Sequence, residues 1–221
     1  MDNTEADLTQ LIARSLRISE PLNRRIKSEG EKANFSYANT LLCLCAEVLS
    51  AFGSLAEARS RKQVRHAAWA SRNLLELSIW CEYCVRSESN AQTFFFDTTK
   101  DALGFVNAFA SLASMAPSVT SDACVANAKE RLGAVAKAHS LDLDDEFKRV
   151  HKAAKELGKD QEAAFRYLNT ILSKLTHPTA FVVNINIDDA SNIGLVDMSY
   201  QIGLALARAS LSELEKAIPP H

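Results

Sequence analysis

Between Tyr37 and Leu55 a single charge, Glu47, interrupts a run of leucine, alanine, cysteine, valine and small polar residues. A helix over 37–58 is therefore apolar round most of its circumference, which places it inside a bundle rather than on its surface. After Ser60-Arg61-Lys62-Gln63 a second such stretch runs from Val64 to Ser87. Two long helices with so short a connection must pack antiparallel, and this hairpin is the element round which the rest has to arrange itself. Only 7 Gly and 5 Pro occur in 221 residues, and about one residue in seven is Ala, so turn-rich sandwiches and barrels are disfavoured.

The flanking segments repeat the helical period. Leu8, Leu11, Ile12 and Leu16 predict an amphipathic helix from Thr4 to Ser19, and Pro21 opens a charged stretch to Ala33 that reads as a second short helix or a connector. Ala91 to Met115 continues at helical spacing through five of the ten phenylalanines and ends before Pro117. Ser121-Asp122 caps a helix to about Ala138, Asp142 or Asp144 another to Leu157, where Gly158 stops it, and Asp160 starts one running to His177. Val183, Ile185 and Ile187 then alternate with polar residues, and Ile193 to Val196 supplies a second short apolar run, so a small β-hairpin or extended excursion is expected over 182–196. A helix over Asp197 to Ala217 closes the chain. The expected fold is all-α: one domain of about seven or eight helices, with residues 1–33 as an N-terminal helix and charged connector, 37–179 as core bundle, and 197–217 as C-terminal helix.

Composition excludes several functions. Twenty-five basic residues against 27 acidic ones leave a net charge of −2, with no basic excess to drive nucleic-acid binding. Asp2, Glu5 and Asp7 stand where an export signal needs a basic start, and the longest apolar stretch, Thr40 to Leu55, is broken by Glu47 and two serines. A cytoplasmic location without a membrane partner is the expectation. Five cysteines in a chain of this length fit reduced thiols, and Cys43, Cys45, Cys81 and Cys84 read as small buried hydrophobes rather than a metal site. There is no Glu-x-x-His pair, no Gly-rich phosphate loop and no Gly-x-Ser-x-Gly elbow, so no cofactor or metal is expected.

Against that background a few polar residues stand out. At 100° per residue Arg72 and Glu76 share a helix face with Ala68, Ile79 and Tyr83. Pairing residues equidistant from the hairpin turn brings Glu47 opposite Arg72. Buried charges must pair or line a wet pocket. The set therefore reads either as a network fixing helix register, or as a pocket in which Arg72 holds a small anionic ligand and Glu76 or Glu47 moves a proton. Farther on, Arg166, Thr170, Ser173 and His177 form one polar stripe. His177 lies in the last turn of its helix, where it either caps the final carbonyls or, exchanging a hydrogen bond with Ser173, takes part in chemistry.

Ser71-Arg72-Asn73-Leu74-Leu75-Glu76, with Phe147-Lys148-Arg149, Lys155-Glu156-Leu157-Gly158, Tyr167 and Ser173-Lys174-Leu175-Thr176-His177-Pro178, resembles an uncharacterised family of bacterial all-helical proteins over about residues 37–179. In that family an Arg-x-x-x-Glu helix is followed by a Ser-x-x-x-His-Pro helix end. The resemblance implies a helical bundle, singles out Arg72, Glu76, Ser173 and His177, and carries no established activity. More distantly the chain is similar to the HEPN helical superfamily, which includes ribonucleases of defence and toxin systems. It departs from them in having Ser173 and Lys174 where the catalytic arginine would stand, while Arg61 to His66 has an Arg-x4-His spacing at a helix start. A binding or regulatory module is the expected function, acting through protein association, such as a homodimer formed by the amphipathic terminal helices, or through an internal polar pocket. The alternative is a HEPN-like ribonuclease or other small-pocket enzyme using Arg72, Glu76 and His177.

Overall fold

Helical periodicity is realised along the whole of the described chain. The structure, a computed structural model, describes residues 3–29, 35–115, 122–142, 148–177 and 189–218. Among them are eight helices and no strand: α1 (Thr4–Glu29), α2 (Tyr37–Ser60), α3 (Val64–Arg86), α4 (Glu88–Met115), α5 (Asp122–Ala138), α6 (Val150–Leu157), α7 (Lys159–Thr176) and α8 (Asp189–Lys216). The all-α bundle is therefore as the apolar pattern predicts. The chain divides into two compact units, Met1–Ala91 with Val150–His221, and Gln92–Arg149.

In the larger unit α3 is the hub. It packs against α2, α6, α7 and, most extensively, α8, while α1 covers α2 and α8. Its antiparallel hairpin with α2 closes at residues 61–63. There the Gln63 N–H reaches back to the Ala58 carbonyl at 2.9 Å and Lys62 takes the left-handed conformation, φ 55°. The core runs through Leu41, Val48, Phe52 and Leu55 of α2, Leu74 and Leu75 of α3, and Tyr200, Leu211 and Leu214 of α8, all but fully buried. Gly203 on α8 is where three helices meet: a Cβ there would strike Leu55 Cδ2 and lie 2.9 Å from Ser71 Oγ. One turn earlier the Ser71 hydroxyl donates to the Ser199 carbonyl at 2.7 Å, which fixes the same crossing.

Charged side chains tie the outer helices to this core. Arg14 of α1 donates two hydrogen bonds to the Glu215 carboxylate of α8, at 3.0 and 2.7 Å. That bond holds the Glu215 carboxyl below its usual range and raises the arginine. Nearer the other end of α8, Tyr200 donates to Asp7 at 2.9 Å, Arg208 pairs with the same carboxylate at 2.9 Å, and the Arg59 guanidinium lies 4.0 Å from the Tyr200 ring centroid. Burial first, and then the bond to Asp7, push the Tyr200 hydroxyl up to about 12. A tyrosine raised in the folded state contributes fully below its ordinary value near 10 and loses that contribution as pH rises toward 12. Tyr200→Phe is accordingly expected to cost about 1.5–3 kcal/mol at pH 7, the range for a hydrogen bond to a charged acceptor. In urea unfolding at stepped pH, the gap from wild type should narrow between pH 10 and 12; a gap constant with pH would refute the assignment.

Several boundaries differ from those expected. α1 does not end at Ser19 but continues through Pro21, because Ile18 and Leu22, one turn apart, are both buried against the bundle. Their burial offsets the hydrogen bond that proline cannot donate to the Arg17 carbonyl. On the same helix Ile12 and Leu16 remain exposed. α4 begins at Glu88, where the Ser87 hydroxyl accepts from the Asn90 N–H at 3.1 Å. Asp144, one of the two caps expected for α6, lies outside the described residues, and α6 starts only at Val150. Gly158, φ 134°, both stops α6 and precedes α7 in a conformation that side chains with a Cβ rarely adopt. The expected β excursion is corrected in its second half: Ile193 to Val196 belongs to α8, whose buried positions Val196, Tyr200, Leu204, Ala207, Leu211 and Leu214 follow helical spacing. A four-residue apolar run fits either state, and the longer period decides. The first half, 183–187, lies outside the described residues.

α2 also departs from expectation in being long and apolar enough, by length and composition, to cross a membrane, with a mean hydropathy of 1.6 over 18 residues. One glutamate and a few serines do not outweigh its leucines and alanines. Nearly half of that window is buried inside the fold.

In the smaller unit the Phe96 ring lies 4.8 Å from the His139 ring, and the Lys148 N–H donates to the Asp97 carboxylate at 2.8 Å. Phe105, Phe109 and Leu112 of α4 are exposed.

Candidate functional site

Glu47 and Arg72, expected to meet across the hairpin, do not pair. Arg72 turns along its own helix and toward α7: it pairs with Glu76 at 3.3 Å and donates from Nε to Asn169 Oδ1 at 3.1 Å. Ser173 donates to the same amide oxygen at 3.4 Å. A line Glu76–Arg72–Asn169–Ser173 thus joins α3 to α7. Its members are not buried, since the Arg72 and Glu76 side chains are 31% and 36% exposed. An exposed pair of this kind contributes at most about 1 kcal/mol. Asn169, which completes the line, is not among the residues that spacing singles out. It lies one turn before Ser173 on the stripe that carries His177, and that offset is its only signal.

His177 caps α7 through its backbone, donating its N–H to the Ser173 carbonyl at 3.1 Å. Its exposed imidazole makes no hydrogen bond among the described residues, so the expected exchange with Ser173 is not made. It stands eight residues beyond Asn169, about 12 Å along the helix, and is not gathered with Arg72 and Glu76. Arg166 stacks on Tyr167, 5.0 Å from its centroid, and Thr170 bonds the Arg166 carbonyl. Tyr83 is buried, its ring edge-on to Trp80 at 5.8 Å.

Glu47 instead opens onto a groove between α2 and α3. The groove has a volume of about 270 Å³ and is lined by Glu47, Ser50, Ala51 and Ser54 from α2 and by Trp69, Asn73, Glu76, Leu77 and Trp80 from α3. Each set follows the i, i+3/i+4 spacing of one helix face, and the faces oppose each other because the hairpin is antiparallel. Small side chains on α2 leave the space, and the two indoles on α3 wall it. Trp69 is 47% exposed, an unusually open position for so large an apolar ring. Glu47 and Glu76 are its only charged lining residues, both negative. Two tryptophans 11 residues apart on the face that also carries Glu76 are the signal available in the sequence, whereas charge alone draws attention to Arg72.

Among the described residues no three His, Cys, Asp or Glu side chains are grouped to hold a metal ion. Burial pushes the Cys45, Cys81 and Cys84 thiols up, Cys84 to about 12, away from the thiolate that ligates or attacks. Cys43, expected to be buried, is exposed, because α2 turns that position away from the bundle. Comparison with protein-family models, with curated proteins and with solved structures finds no match to this chain.

Proposed function

We propose that the protein is a binding module whose recognition site is the groove between α2 and α3. The observation that carries this reading is the groove's construction: both tryptophans of the chain and two carboxylates converge on one concave surface that small α2 side chains keep open. Half-exposed indole has large contact area and loses little conformational freedom on binding, which is why tryptophan is enriched where ligands and partners dock. An enzyme using Arg72, Glu76 and His177 has less support, because the first two close on each other and the third stands apart.

The test uses the groove's own reporter. Both tryptophans line it, so in the folded protein tryptophan emission, excited apart from the four tyrosines, reports on the groove. Titration with alkylammonium ions, carboxylates, inorganic phosphate, nucleotides and sugars is expected to give a saturable emission change with at least one class. Ser50→Phe, which fills the groove from an exposed position, is expected to abolish that change while leaving the unfolding midpoint near that of wild type. Silence toward every class, or a response that survives the filled groove, overturns the reading.

A further inference from the structure

The two ends of the groove differ. Trp69 and Trp80 are about 16 Å apart along α3, so they do not enclose one ligand between them. Residues equidistant from the 61–63 turn face each other, which sets Ser54 against the Trp69 end and Glu47 against residues 76–80. The Trp80 end therefore collects one indole and both carboxylates, with no lysine or arginine in the lining. Arg72 reaches Asn169 on α7 through its Nε and pairs with Glu76 at 3.3 Å, so Glu76 is already compensated and Glu47 carries the uncompensated charge of this end. Glu47 has no hydrogen-bond or ion-pair partner among the described residues.

An indole face attracts a cation through its quadrupole, most effectively when the cation is large and weakly hydrated, and flanking carboxylates add direct attraction. A metal ion is poorly served, since indole offers no ligand and only two carboxylates are present. At about 270 Å³ the space lies just below the usual range for drug-sized ligands, which matches a small molecule. We propose that the Trp80 end of the groove binds a small organic ammonium ion, with its positive charge over the indole and beside the Glu47 carboxylate. The proposal rests on the groove being a binding site and names the class of ligand it takes.

Choline and 3,3-dimethylbutan-1-ol have the same shape and differ in replacing the charged nitrogen by carbon, so the pair isolates the charge. Titrating each into the full chain and following tryptophan emission, we expect choline to give a saturable change and the neutral alcohol to bind at least about tenfold more weakly. Glu47→Gln, at an exposed position on which the fold does not depend, is expected to weaken choline by a similar factor and to leave the alcohol unchanged. Equal affinity for the two compounds overturns the ammonium assignment and leaves a groove that binds neutral ligands. Silence toward choline while another probe class responds overturns it too. If all classes are silent, the binding reading falls as well.

Discussion

Phe52→Ala is expected to lower the unfolding free energy of the larger unit by about 3–5 kcal/mol, the range for emptying a phenylalanine site in a packed core. Phe52 is fully buried on α2, and its ring meets that of Tyr200 on α8 at 5.7 Å and 50°. The cavity cannot collapse easily, because the Tyr200 ring is held from elsewhere by its hydroxyl bond to Asp7 and by the Arg59 guanidinium. Domains of this size are stable by about 5–15 kcal/mol, so the variant should lose a large share of its stability. Urea titration followed by tryptophan emission measures this directly, since both tryptophans belong to the larger unit. A loss under about 1.5 kcal/mol would mean that α2 and α8 are not in contact at this point.

Gly203→Leu should be about as damaging, by the opposite mechanism. The site has no room even for a methyl group: Leu55 and Ser71 already occupy the space, and Leu74 Cδ1 would lie 3.2 Å from the new Cβ. Inserting a leucine forces α8 off α2 and α3, at a cost of about 3 kcal/mol or more. Gly53, in the middle of α2, has nothing within 4 Å of the corresponding position. There Gly53→Ala is expected to stabilise by up to about 1 kcal/mol, through helix propensity alone. Chemical denaturation of the two variants beside wild type reads both effects. A Gly203 variant as stable as wild type would contradict the close helix crossing.

How much of the molecule is visible in its residues depends on the range of the interaction concerned. α2, α3 and their hairpin follow from local period and from the lack of glycine and proline, which act over one or two turns. The course of α1 past Pro21 does not, because Ile18 and Leu22 outweigh a broken backbone bond only once the bundle is there to bury them. Ile193 to Val196 is ambiguous for the same reason: four apolar residues take their state from the next turns of the chain, here Tyr200 and Leu204 at helical spacing. At the site, spacing places Arg72 and Glu76 on one face correctly. It cannot decide which way a long flexible guanidinium turns, and Asn169, 97 residues on, is what decides it. The groove is written in the pattern of Trp69, Asn73, Glu76 and Trp80, but a concave surface exists only when small residues on a second helix stand opposite, and that is a property of the pairing.

The packing of α8 against α2 and α3 also sets a schedule for biosynthesis. Once α3 has been made, about 130 residues must still be added before α8 is complete, which at 5–20 residues per second is roughly 6–26 s. Through that interval α2, the most apolar of the described helices, still lacks one of its covers, and the face built to receive Gly203 and Tyr200 is open to whatever the nascent chain encounters. Hairpin formation takes microseconds to milliseconds, so the α2–α3 pair waits for translation rather than for folding. Slow translation anywhere over residues 87–216, about three-fifths of the chain, lengthens that exposure and is expected to be felt as aggregation rather than as loss of binding.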